Sequence, residues 1–123
     1  MKYQQKFIRF LIVLIILSIH FSYSQTKKID SLKKLIQTGQ RDTTMVNNLN
    51  SLSKEILNSE EITESIKFSK QAIELSKQLG YLSGEAYAEK NMGLAFYFQG
   101  DYQSVLDHWN KSLEIFESIK DSE

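Results

Sequence analysis

The chain of 123 residues contains no cysteine and no proline, and it has only five glycines. Without cysteine the chain forms no disulfide and offers no thiolate ligand for zinc. Without proline, no helix is kinked or ended by that residue. Glycines therefore become the main signals for helix ends, and Gly39, Gly80, Gly84 and Gly100 all fall between runs of helical apolar spacing.

An excess of charge of one sign is also missing, since 15 Lys and Arg residues balance 15 Asp and Glu residues. Lys2, Lys6 and Arg9 lie in the first 24 residues, where no acidic residue occurs. The rest of the chain is therefore mildly acidic, and it carries no basic stripe with interleaved aromatic residues. This pattern predicts that nucleic acid is not a partner.

The N-terminal segment has the pattern of an export signal. Its basic start is followed by an apolar run, Phe10–Ile19, that only Ser18 interrupts. The small residues Ser22 and Ser24 stand where a signal peptidase reads. Because the run is shorter than the roughly 20 residues of a comfortable membrane span, we expect cleavage after Ser24, export, and no membrane contact of the cleaved chain. An uncleaved N-terminal membrane anchor is the alternative.

After Gln25 the apolar residues recur at the spacing of helices rather than strands, which predicts an all-α fold. Gly80 and Gly100 are predicted to end helices, while Ser83 and Asp101 are predicted N-caps. The five predicted helices cover about Lys27–Thr38, Asp42–Leu57, Glu60–Leu79, Ser83–Gln99 and Asp101–Ile119.

The helical part of the chain repeats itself after 40 residues. The shift places apolar residues on apolar ones and small residues on small ones through two helices. The corresponding pairs include Leu52 and Met92, Ser53 and Gly93, Ile56 and Phe96, Ile66 and Leu106, Ile73 and Leu113, and Leu75 and Ile115. A glycine inside a helix costs about 1 kcal/mol relative to alanine. We therefore expect a neighbouring backbone, from the second helix of the hairpin, to approach Gly93 closely.

The second hairpin resembles a tetratricopeptide repeat. Met92 and Gly93 fit the large-then-small pair of the first helix of that repeat. Gly100–Tyr102 fits its turn, and Trp109 takes the place of a large aromatic residue in its second helix. Glu89 departs from the pattern, because the family prefers a bulky apolar residue there. The proline that usually follows the second helix is missing as well.

The first hairpin is similar to a degenerate form of the same repeat, with Ser69 where a large residue is usual. The resemblance implies an α–α superhelix of helical hairpins after a signal segment. Its concave face, lined by the first helices of the hairpins, binds proteins or peptides. The implied divisions are a signal peptide at 1–24, a lead-in or capping helix at 25–41, a degenerate repeat at 42–82 and a repeat at 83–123.

An export signal, a lead-in helix and long repeats together are similar to the exported N-terminal repeat region of bacterial sensor histidine kinases and regulators that contain these repeats. The resemblance implies the periplasm or cell envelope of a bacterium. We expect an exported, non-enzymatic module for protein–protein interaction. The alternative is a truncated or N-terminal sensory region of a membrane histidine kinase or transcriptional regulator in signal transduction.

Five side chains of the fourth predicted helix are the expected contacts with a protein or peptide partner on the concave face. The alternative is that the aromatic members of this set pack against a neighbouring repeat, as aromatic residues at helical spacing often do. The five residues are Tyr87, Lys90, Leu94, Tyr97 and Phe98.

We expect no catalytic residue, no metal and no cofactor. His108 is the only histidine after residue 24, and we expect it to be a partly exposed helix residue. No nucleophile turn of the G-x-S-x-G type and no phosphate-binding glycine loop occurs. Glu60, Glu61 and Glu64 are expected to be solvated acids that favour the dipole at the start of the third helix.

The apolar side of the last predicted helix is expected to lie open. Val105, Trp109, Leu113 and Phe116 form that side. Monomers seldom leave an apolar patch of about 400 Å² uncovered. We therefore expect self-association through this uncapped repeat, a bound partner, or further sequence to cover it.

Overall fold

The computed structural model describes residues 1–58 and 61–120. Within those residues the chain forms five α-helices and no strand, which confirms the predicted all-α fold. Each helix packs against the next, and α2 also contacts α4, as in a superhelix of hairpins. The helices are α1 (Lys2–Thr38), α2 (Thr43–Leu57), α3 (Ile62–Leu79), α4 (Leu82–Gln99) and α5 (Tyr102–Lys120).

Several helix ends confirm the signals in the sequence. An Asp101 carboxylate oxygen accepts from the Ser104 backbone N–H at 3.2 Å and caps α5. Asp42 caps α2 in the same way. Gly80 and Gly100 follow α3 and α4 with φ of 64° and 78°, the left-handed conformation that glycine adopts without steric cost.

The prediction of Ser83 as the N-cap of α4 is wrong, because α4 already begins at Leu82 and its cap is Tyr81, which makes no side-chain cap bond. The Tyr81 backbone N–H donates to the carbonyl oxygen of Ser76 at 2.9 Å, so the chain leaves α3 and enters α4 within two residues. Because of this tight turn, α4 begins at Leu82, before the predicted cap at Ser83. The predicted start of α3 at Glu60 lies outside the described residues.

The prediction of a separate lead-in helix from Lys27 is also wrong, because α1 runs unbroken from Lys2 to Thr38. No glycine or proline lies in that range, so nothing in the local sequence ends the helix. Its N-terminal part is exposed, while the C-terminal part from Gln25 packs against α2. The Gln25 side-chain amide donates to the backbone carbonyl of Glu55 at 3.3 Å.

The apolar part of α1 is longer than expected from Phe10–Ile19 alone. An 18-residue window of α1 has a mean hydropathy of 2.0, and none of that window is buried. By length and composition α1 is able to cross a membrane, a property that N-terminal signal sequences and membrane anchors share.

The two hairpins follow the 40-residue repeat closely. Ile62 begins α3, and Tyr102, its counterpart 40 residues later, begins α5. Leu52 and its counterpart Met92 are both fully buried where their hairpins pack. The repeat in the sequence is therefore a repeat in the structure, in both its helix bounds and its core positions.

The close approach at Gly93 involves a side chain rather than the predicted backbone. A Cβ atom added at Gly93 would overlap the indole ring of Trp109 on α5. In the first hairpin the equivalent residues are Ser53 and Ser69, whose hydroxyl oxygens lie 2.6 Å apart. Both hairpins therefore join their helices at this position, one through a hydrogen bond and the other by seating a ring on a glycine.

Candidate protein-binding surface

The five predicted contact residues all lie on α4 and none of them is buried. The exposed fractions of Tyr87, Tyr97 and Phe98 are 51%, 50% and 57%, whereas Leu94 is half-buried and Lys90 is exposed. Half of each aromatic side chain is therefore open to solvent.

By helical spacing these residues lie within about 100° of one another around α4, so they share one face. Tyr87 lies between the neighbouring helices: it lines a groove toward α2, and its ring meets the Phe116 ring of α5 edge-on at 5.2 Å. On the side of α5 the Lys90 backbone carbonyl accepts from the Trp109 indole N–H at 3.3 Å. The Tyr97 ring meets the Tyr102 ring edge-on at 6.1 Å.

The edge that faces α2 borders a groove of about 300 Å³ between α2 and α4, which we call the α2–α4 groove. Sequence reasoning missed Asn47 and Ser51, although a polar stripe at i and i+4 on α2 was visible. Such a stripe on a helix that also carries an apolar face marks the side turned away from the core. The groove is lined by Asn47, Asn50, Ser51, Lys54, Tyr87 and Asn91.

Two asparagines form the floor of the α2–α4 groove and join the first helices of both hairpins. The Asn50 side-chain amide donates to the backbone carbonyl of Gly84 at 2.9 Å. The Asn91 side-chain amide donates to the backbone carbonyl of Asn50 at 3.0 Å. Both side chains are 9% exposed. The Asn50 Oδ1 atom is buried and has no hydrogen-bond partner among the described residues. Because less than 1 Å² of this atom is accessible, a donor in the groove reaches it only after the Asn50 side chain turns outward.

The acidic start of α3 lies away from this groove and joins α3 to α1. Lys33 on α1 lies 3.3 Å from the Glu64 carboxylate. A side-chain hydrogen bond with Glu61 holds the pKa of Glu64 below its ordinary value of 4.5, and the Lys33 ammonium acts in the same direction. The prediction for Glu60 falls outside the described residues.

His108 is a partly exposed residue of α5, as predicted, and it pairs with the buried Glu89. The His108 Nδ1 atom lies 2.6 Å from Glu89 Oε2, and the Phe96 ring stacks on the imidazole with centroids 5.3 Å apart. Glu89 is only 4% exposed. Within residues 1–58 and 61–120, no group of three or more His, Asp or Glu side chains is placed to hold a metal ion.

A second groove, of about 410 Å³, opens between α4 and α5 and is lined by Lys90, Trp109, Ser112, Leu113 and Phe116. Leu113 and Trp109 are exposed, in line with the open apolar side predicted for the last helix, and Phe116 is half-buried. Val105 was expected on that open side but is only 4% exposed. It lies on the stripe of α5 that packs against α4.

Two comparisons with known proteins give no relative. No protein-family model matches the chain, and no curated protein matches it either. The fold assignment therefore rests on the helices and their 40-residue repeat, and the tetratricopeptide resemblance stays a prediction.

Proposed function

We propose that this chain is a non-enzymatic protein-binding module of the tetratricopeptide type, which holds a segment of a partner protein in the α2–α4 groove. The observation that carries the proposal is the buried, unpaired Asn50 Oδ1 atom on the groove floor. A buried acceptor without a partner costs about 1–3 kcal/mol. A backbone N–H from a bound segment removes that cost when the Asn50 side chain turns toward the groove.

The chemistry around the groove indicates what kind of segment would fit. Lys54 supplies a cation on the rim, which favours an acidic group on the partner. Tyr87, which lines the groove and is 51% exposed, offers aromatic surface, the residue class that most often anchors protein interfaces. We therefore propose a partner segment with an acidic residue next to an apolar one.

The proposed location is the periplasm or envelope of a bacterium, and the long apolar α1 supports export. Cleavage after Ser24 yields a chain that begins at Gln25, whereas an anchor keeps Met1. Intact mass measurement of the chain purified from envelope fractions separates the two. A chain recovered from the cytoplasm would contradict the export proposal.

Site-specific photo-crosslinking tests the groove directly. A photoreactive phenylalanine analogue replaces Tyr87, which lines the groove, and in the control chain it replaces Leu82, an exposed residue in the first turn of α4. We expect the Tyr87 probe to cross-link a distinct envelope protein, and addition of that purified protein without the probe should compete. Equal labelling from both positions, or no competition, would contradict the proposal.

A further inference from the structure

The exposed side of α5 carries a regular apolar stripe, separate from the α2–α4 groove. Tyr102, Leu106, Trp109 and Leu113 are 65%, 57%, 42% and 56% exposed. They are spaced by four, three and four residues, and Phe116 and Lys120 continue the same spacing. This alternation is the heptad pattern of a helix that packs lengthwise against another helix.

The first hairpin shows that this side of a second helix is a helix-docking surface. The equivalents of Leu106 and Leu113 are Ile66 and Ile73 on α3, and both are half-buried where α4 packs against α3. Among the described residues, no helix covers the α5 stripe in the same way. The stripe lies about 80° around α5 from the covered residues Val105 and Ser112, which leaves room for another helix.

The side chains of the stripe decide which kind of helix fits. On α3 the equivalents of Trp109 and Phe116 are the small Ser69 and Ser76, both fully buried, and the Ser69 hydroxyl lies 2.6 Å from that of Ser53 on α2. On α5 the larger Trp109 and Phe116 contact Gly93 and Tyr87 of α4 with one side, and their other side stands beside the leucines of the stripe. Large side chains that alternate with leucines need a partner with the opposite alternation, so that knobs of one helix enter holes of the other.

We propose that a second copy of this chain covers the stripe, with the two α5 helices antiparallel about a two-fold axis level with Lys111. This register sets Trp109 against the partner's Leu113 and Leu106 against the partner's Phe116. Each large side chain then meets a leucine, and the surface is complementary to itself, as a two-fold interface requires.

The charge at the end of the stripe favours the antiparallel arrangement. Lys120 then lies beside the partner's Tyr102, where its ammonium group faces an exposed aromatic ring. In a parallel pair every residue meets its own copy, so Lys120 would face a second lysine and Trp109 a second tryptophan. Like charges directly opposite each other oppose association.

The area of the stripe sets the strength of this dimer. Its four exposed side chains leave roughly 400 Å² of surface per copy, given the 150–250 Å² that a large side chain buries. Two copies therefore bury roughly 800 Å² through the stripe, which is less than the roughly 1,200 Å² of a stable interface. The dimer is therefore weak and depends on protein concentration.

Cysteine cross-linking tests this register cleanly, because the natural chain contains no cysteine. In the Tyr102→Cys/Lys120→Cys chain the two thiols are 18 residues apart on one helix, about 27 Å. A disulfide needs Cα atoms within about 7 Å, so any disulfide formed by this variant joins two chains. We expect oxidation of the full-length variant in mild detergent to give a covalent dimer of twice the monomer mass.

Matched variants decide between the possible outcomes. The single variants Y102C and K120C should stay monomeric on oxidation, because the antiparallel register separates identical positions. Adding L113E to the double-cysteine chain should abolish the cross-link, whereas L82E, a charge at another exposed leucine, should leave it intact. Cross-linking of the single variants, insensitivity to L113E, or no cross-link in the double-cysteine chain would overturn the proposal.

Discussion

The imidazole of His108 and the carboxylate of Glu89 form a close pair, with Nδ1 and Oε2 2.6 Å apart. The equivalent residues of the first hairpin are Phe68 and Leu49, and Phe68 packs against the core cluster that contains Leu49. One hairpin thus fills this position with two apolar side chains, and the other fills it with an acid and an imidazole. Glu89 departs from the apolar pattern, and the residue that it contacts across the hairpin, His108, is polar as well.

Replacement of one member of this pair should lower the stability of the fold, and replacement of both members should restore that stability. His108→Phe leaves the buried Glu89 without its partner, which should lower the free energy of unfolding by about 3–5 kcal/mol. The double variant Glu89→Leu/His108→Phe copies the first hairpin and should be as stable as the natural chain, or up to about 4 kcal/mol more stable. Urea unfolding followed by circular dichroism measures both effects, and additive losses in the double variant would contradict the pairing.

The contact between Gly93 and Trp109 predicts that Gly93→Ala destabilises the natural chain but stabilises a chain that lacks the Trp109 ring. Gly93→Ala should cost about 1–3 kcal/mol, because the new methyl group overlaps the indole ring. In a Trp109→Ser background the same change should stabilise α4 by about 1 kcal/mol, since alanine favours helix over glycine. Thermal unfolding of the four chains of this cycle measures the effect. An identical effect of Gly93→Ala in both backgrounds would show that the ring does not lie on the glycine.

The cap of α5 should make part of the stability depend on pH. Hydrogen bonds from the Ser104 hydroxyl and backbone N–H hold the pKa of Asp101 below its ordinary value of 3.8. A lowered folded-state pKa contributes stability that is fully present above 3.8 and is lost as the pH falls through the folded-state value. Asp101→Asn keeps an acceptor without a titratable charge.

The stability difference between the natural chain and Asp101→Asn should therefore shrink from about pH 6 to about pH 2. Urea unfolding of both chains at each pH measures that difference, and the comparison cancels the titration of Glu64, whose pKa is also lowered. A difference that stays constant with pH would rule out the charged cap.

The exposed aromatic pair of α4 should matter for binding and not for folding. The change Tyr97→Ser/Phe98→Ser should alter the free energy of unfolding by about 0.5 kcal/mol or less, as is usual for exposed side chains. The same variant should lose capture of the partner identified by photo-crosslinking. If it unfolds instead, these residues belong to the core, and the alternative of packing within the repeats is correct.

The sequence was sufficient for features that local chemistry determines. The cap at Asp101 and the left-handed glycines after α3 and α4 depend on single residues and their neighbours, and the structure has them as predicted. The 40-residue repeat was readable because buried positions keep their size and polarity, as Leu52 and Met92 do.

Features that depend on contacts between distant residues were not readable in this way. The pairing of His108 with Glu89 joins residues 19 positions apart on two helices, and neither side chain has an unusual neighbour in sequence. The ring of Trp109 on Gly93 has the same origin, because helical spacing gives the face of a residue but not its rotamer. The unbroken α1 was missed because export signals are recognised by composition, which does not determine where a helix ends.

The most direct test of the repeated hairpin is a NOESY spectrum of the isotopically labelled chain. If two copies of one hairpin pack alike, Gly93 Hα should show contacts with the Trp109 indole protons, and Ser53 Hβ should show contacts with Ser69 Hβ. The ring of Trp109 should also shift the Gly93 Hα resonances upfield. If either pair gives no contact while the helices are intact, the two hairpins are not copies of one another.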